Sequence, residues 1–120
     1  MTCCSDIEAI GFTLNSNNYI NGIYTFTGTF INGRHLYVDQ NKFYGIWFDG
    51  EYGGAADWVI GLMSNLAEGK VTYGLALSNL DTFCPSLTKE WEEYFNLQWT
   101  YSTKAIVKCL SGDKRLLIEA

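Results

Sequence analysis

Apolar residues along this chain fall into short runs, cut by turn signals roughly every eight to twelve residues, the spacing of a β-sandwich or barrel. The interruptions are Asn21-Gly22, Asn32-Gly33, Asp49-Gly50, Gly53-Gly54, Glu68-Gly69 and Ser111-Gly112-Asp113. Asn-Gly adopts positive φ at little cost, which a two-residue hairpin turn requires. Strands are therefore expected over residues 7–14, 23–27, 34–38, 43–48, 58–60, 71–77 and 105–109, with 115–118 as an added edge strand. The 23–27 run alternates β-branched and aromatic residues, and Asn32-Gly33 can fold it onto 34–38. The 43–48 run is almost wholly apolar, as in a central strand covered on both faces. One stretch, 88–95, looks helical: Glu90, Glu92 and Glu93 favour a helix, and Trp91, Tyr94 and Phe95 have helical spacing. The β-prone residues 97–101 beyond Asn96 argue for a hairpin instead, and strand is expected there. The fold class is all-β, a small antiparallel β-sandwich or open barrel.

No linker, charge block, repeat or low-complexity tract divides the 120 residues, so a single β domain is expected over 1–120. Apolar residues make up 48% and charged ones 18%, a balance that folds rather than one that stays disordered. The net charge of −5 and the lack of any basic cluster beyond Lys114-Arg115 argue against nucleic acid. No apolar run approaches the ~18 residues of a membrane span. Neither end reads as a targeting segment, so a mature form is expected.

Four cysteines, Cys3, Cys4, Cys84 and Cys109, suit an oxidising compartment, so the protein is expected to be secreted and extracellular, tied by disulfides. A bridge between the adjacent Cys3 and Cys4 would strain the backbone. They are expected to pair separately with Cys84 and Cys109, in an order the sequence leaves open. Each bridge closes a loop of about 80 to 106 residues, worth on the order of 4 kcal/mol in chain entropy. Zinc is the rival reading, but no Cys-x-x-Cys pair is present.

The succession Gly11, Asn21-Gly22-Ile23-Tyr24, Asn32-Gly33-Arg34-His35-Leu36-Tyr37, the aromatic strand ending in Trp47, Trp58-Val59-Ile60, Cys84-Pro85, Trp91 and Cys109 carries a resemblance. It resembles a β module that recurs, often in tandem, in extracellular proteins of animals and some protists. The match covers about residues 3 to 109, leaving 110–120 as an extension. The module usually has Pro where this chain has His35, and Gly or Ser where residues 91–99 hold acids. The resemblance implies a compact β fold and a non-enzymatic extracellular role, and carries over no binding site.

Catalytic constellations fail one by one. His35 is the only histidine, no Gly-x-Ser-x-Gly turn exists, and no His-x-x-x-His pair is present. A surface or hairpin-flanking place outweighs catalysis for His35. Asp49, Glu51 and Asp57 could together hold Ca²⁺, but their spacing is not that of the helix-loop-helix site, and a solvated acidic loop is expected. Glu90, Glu92 and Glu93 are neighbours in sequence and do not face one another across a cleft, as sugar cleavage needs. The protein is expected not to be an enzyme and to carry no resident metal.

Rings remain: seven Phe, four Trp and eight Tyr, 16% of the chain, more than a small interior is expected to absorb. Two groups stand out, Tyr44, Trp47, Phe48, Tyr52 and Trp58, and then Trp91, Tyr94, Phe95, Trp99 and Tyr101. On alternating strands half of each group points outward. Tyr44, Trp47, Tyr52, Trp58, Trp91, Trp99 and Tyr101 are the expected ligand-binding residues. The expected function is non-catalytic binding of a small elongated apolar ligand, a lipid or carotenoid-type pigment, in an aromatic groove or subunit interface. The alternative is a glycan- or matrix-binding adhesion or structural module. Exposed rings and modest charge also predict a homo- or hetero-oligomer.

Overall fold

The computed structural model describes residues 2–14, 19–50 and 57–110. Among these residues nine strands form one antiparallel sheet: β1 (Asp6–Ile10), β2 (Gly22–Ile31), β3 (Arg34–Asp39), β4 (Tyr44–Phe48), β5 (Trp58–Leu62), β6 (Ala76–Ser78), β7 (Trp91–Phe95), β8 (Gln98–Ser102) and β9 (Ile106–Cys109). Strands β1 to β8 lie side by side in chain order, and β9 returns to pair with β1. The open barrel is thus the form adopted, rather than two stacked sheets.

The curl follows from one short connection. Strands β8 and β9 are the two edges of the sheet, and a flat sheet would hold them about 38 Å apart at ~4.8 Å per strand. Yet only residues 103–105 join them, and a segment that short reaches at most ~14 Å. The sheet must bend until its edges meet at that end. Gly11 is part of the closure. It ends β1 at φ +83°, and its Cα lies so close to Lys104 that a Cβ would sit 2.1 Å from the Lys104 carbonyl oxygen.

Inside the curl lie Ile7, Tyr24, Tyr37, Ile46, Trp58, Ile60, Trp91 and Val107, sealed by the disulfides Cys3–Cys84 and Cys4–Cys109. A second, smaller cluster lies on the outer face of β4 and β5. There Leu36, Trp47 and Val59 are covered by Met63 and Leu66 of a short helix, α1 (Met63–Ala67). The expectation that 43–48 is covered on both faces is met in this way. The helix itself has no signal in the sequence beyond Met63 and Leu66 facing that apolar patch.

Other boundaries moved for local reasons. The 7–14 run ends at Ile10 because Gly11 turns the chain. Strand β2 continues to Ile31 through a bulge between Phe26 and Phe30, with Gly28 at φ +87°. Of 71–77 only the end is strand, in β6. The helix-or-strand ambiguity at 88–96 resolves as β7, hairpinned to β8 through Asn96 and Leu97 at φ +52° and +64°. The edge strand expected at 115–118 lies outside the described residues.

Candidate functional site

Strand alternation sorts the rings. Trp47, Trp58 and Trp91 are fully buried, which corrects their expected place in a ligand site. Loop carbonyls come in to meet the indole N–H groups of Trp47 and Trp58, whereas Trp91 Nε1 is buried with no hydrogen-bond partner among the described residues. Trp58 Nε1 donates to the Thr82 carbonyl at 2.8 Å, and Trp47 Nε1 to that of Val71 at 2.7 Å. The hydroxyls of Tyr24 and Tyr37 likewise donate to the carbonyls of Ile20 and Cys4, at 2.7 Å each. Trp91 packs edge-on against Phe12 with its centroid 5.6 Å away.

Seven rings are buried and nine exposed among the described residues, so the interior does leave rings outside. The first group of candidates does not form a surface cluster. Tyr44 is half-buried against the core with Phe43 at 5.1 Å, and Tyr52 lies outside the described residues. The second group divides by strand face. Trp91 points inward, whereas Trp99 and Tyr101 of β8 are 38% and 53% exposed.

Trp99 lines a groove of about 510 Å³ on the outer face of the sheet. Tyr94, directly opposite it on β7, meets it edge-to-face at 5.3 Å. Tyr73, Leu62 and Leu75 also line it. Asn65 and Thr72 are the polar groups at the groove. Gly74 is pressed against β5, where a Cβ would meet Val59 at 2.6 Å, so the chain here lies flat under the rings. Sequence reasoning missed Tyr94 and Tyr73 as site residues. Tyr94 was legible, since a two-residue turn at Asn96-Leu97 sets it against Trp99. Tyr73 was not, because its segment leaves the ladder. Tyr101 borders a separate, more polar depression of about 260 Å³ with Asn79, Glu90 and Glu92.

The carboxylates divide in the same manner. Glu92 faces outward, bonded to Asn79 at 3.3 Å, while Glu93 faces inward and is fully buried. Glu93 accepts from the Ser102 hydroxyl at 2.8 Å and the Leu14 amide at 3.2 Å. The acidic loop is also different from expectation at its two ends. Asp49 and Asp57 are buried rather than solvated, and Glu51 lies outside the described residues. Asp49 accepts from the Asp57 amide at 2.9 Å, while the Asp49 amide donates to the Asp57 carbonyl at 2.9 Å. Burial first, then the neighbouring Asp49 carboxyl, raises the Asp57 pKa to about 6.

His35 flanks the β2–β3 hairpin. Its ring lies 4.0 Å from that of Phe26 and 5.1 Å from that of Phe30, and burial lowers its pKa. Among the described residues no group of three or more His, Cys, Asp or Glu converges to hold a metal. Nor is any described helix long and apolar enough to cross a membrane.

Comparison with family models, curated proteins and solved structures finds no match. The groove must therefore be interpreted from its own chemistry. It offers two rings in contact, a third ring and aliphatic side chains in the same lining, and an amide and a hydroxyl.

Proposed function

We propose that this is a non-catalytic extracellular binding protein that holds a small elongated apolar ligand, a lipid or carotenoid-type molecule, in the groove walled by Tyr73, Tyr94 and Trp99. The observation that carries this is the exposure of all three rings, 38 to 56%, around one groove of about 510 Å³. Sites for small molecules commonly have this size and are lined by apolar and aromatic side chains with a few polar groups. The two disulfides support an oxidising, extracellular setting. The resemblance to the extracellular β module supports the same non-enzymatic role.

The molecule contains its own reporter. Trp47, Trp58 and Trp91 are fully buried, so Trp99 is the only one of the four tryptophans that solvent or ligand reaches. Titration with a hydrophobic dye or with a retinoid should shift or quench the Trp99 emission, and Trp99→Phe should abolish that response. Binding of neither by the intact protein, together with no absorption band beyond 280 nm in protein taken from its source, refutes the proposal.

A second reading, glycan binding, is favoured by Asn65 and Thr72 beside the rings, since a sugar stacks on an aromatic face and needs polar partners at its edge. Here simple sugars, and not the dye, would move the Trp99 emission.

A further inference from the structure

Among the described residues strand β8 pairs on one side only, with β7, and nothing in its own five residues, Gln98–Ser102, guards the other side. Natural sheets blunt an exposed edge with Lys, Pro or a bulge. Strand β8 has no charge, no proline and a regular register with β7. The other edge, β9, is better covered: the 3-10 turn over Pro85–Leu87 lies beside it, with Ser86 3.7 Å from the Cys109 sulfur.

The hydrogen-bonding phase of β8 follows from its hairpin. A two-residue turn closes on a hydrogen-bonded pair, here Phe95 with Gln98, and pairs then alternate. Glu93–Thr100 and Trp91–Ser102 are therefore bonded pairs, while Tyr94–Trp99 and Glu92–Tyr101 are not. An independent bond fits this phase: the Tyr94 amide points away from β8 and donates to the Leu75 carbonyl at 3.3 Å. The amides and carbonyls of Trp99 and Tyr101 consequently face outward, without a backbone partner among the described residues.

We infer that β8 pairs antiparallel with β8 of a second copy about a two-fold axis at Thr100, joining two curled sheets into one. The register is self-complementary. Trp99 falls opposite Tyr101 of the second copy, and Tyr101 opposite its Trp99, so the outward-facing groups meet as two hydrogen-bonded pairs with four backbone bonds. Thr100 meets Thr100 at the non-bonded pair between them, a favourable cross-strand match. Shifting the register by one residue would set bonding groups against inward-facing ones. The rings agree with the backbone. Trp99 and Tyr101 share the outer face, so Tyr101 of one copy extends the aromatic surface beside Trp99 of the other.

Charge does not oppose the union. The nearest strand carboxylates on that face, Glu92 of each copy, would be three strand spacings apart, about 14 Å. That exceeds the screening length of ~8 Å at physiological salt. The pairing is independent of which ligand the groove takes.

With one short strand per copy, the dimer is expected to be weak, with a dissociation constant above about 10 µM. Sedimentation equilibrium up to ~1 mM should show a monomer–dimer equilibrium. Hydrogen exchange should then slow about tenfold at the Trp99 and Tyr101 amides as concentration rises, with Thr100 and Ile106 unchanged. Tyr101→Pro removes an outward N–H while keeping the β7 ladder, as proline on an exposed edge does, and should leave a monomer. Tyr101→Thr keeps the N–H and should still dimerise, more weakly. A monomer at every concentration overturns the inference, as does a Tyr101→Pro variant that associates like the parent. Two further outcomes also overturn it: protection at Trp99 and Tyr101 that is independent of concentration, which means the chain covers its own edge, and assembly beyond a dimer.

Discussion

Asp57→Asn tests the electrostatics of the buried Asp49–Asp57 pair. Asp57 is 9% exposed, faces the buried Asp49 and also feels Glu92. Its pKa in the folded protein stands at about 6, above the ordinary 3.8. A carboxyl whose folded pKa is raised favours the folded state when protonated. Its contribution is fully present below pH ~4 and is lost as pH climbs through ~6. The shift corresponds to at most about 3 kcal/mol, and partial solvent screening reduces that to about 1–2 kcal/mol. Asparagine cannot ionise, and its amide can still donate to Asp49. The variant should therefore equal the parent near pH 3.5 and exceed it by about 1–2 kcal/mol at pH 7.5, the gap opening between pH ~4 and ~6. Urea denaturation of both proteins across that range, with disulfides intact, measures the gap directly. A stability difference that stays flat with pH, or that favours the parent at pH 7.5, would refute the reasoning.

Other substitutions probe the closure of the sheet. Gly11→Ala forces a Cβ into the Lys104 carbonyl at positive φ, and thermal unfolding should show a loss of at least about 3 kcal/mol or no folded protein. Leu97 is 87% exposed at φ +64°, so Leu97→Gly relieves left-handed strain and should raise stability by about 1 kcal/mol in denaturant titrations. Replacing Cys4 and Cys109 together by Ser opens a link across 105 residues and should cost about 4 kcal/mol, visible as a lower unfolding midpoint. Ser102→Ala removes a hydroxyl that Glu93 accepts in a buried site, and should cost about 1–3 kcal/mol by the same measurement.

Local signals in the chain specified the elements well. The Asn32-Gly33 turn lies where expected, with both residues at positive φ, and β2 and β3 pair across it. Cys3 and Cys4 do go to separate partners, as the strain of a bridge between adjacent cysteines favours. Boundaries failed where distant atoms decided them, as at Gly11, whose role depends on Lys104. The candidate site was legible at Trp99, because β8 alternates and is exposed on one face. It was illegible at Trp47, Trp58 and Trp91. A tryptophan on a surface and one bonded to a loop carbonyl, as Trp47 and Trp58 are, look alike until the loop is placed, and Trp91 is buried because it points inward from β7.

By itself the sequence determined most of the strands, their hairpin turns and that Cys3 and Cys4 pair separately with Cys84 and Cys109, because each depends on neighbours or on chemistry unique to one residue type. Tertiary structure alone decided that the sheet curls, which rings face inward, which of Cys84 and Cys109 each cysteine takes, that Tyr73 joins Tyr94 and Trp99, and that among the described residues β8 pairs on one side only. The physical reason is that burial and edge exposure belong to the whole sheet. The 103–105 connection brings its ends together, and no run of residues carries that closure in its own pattern.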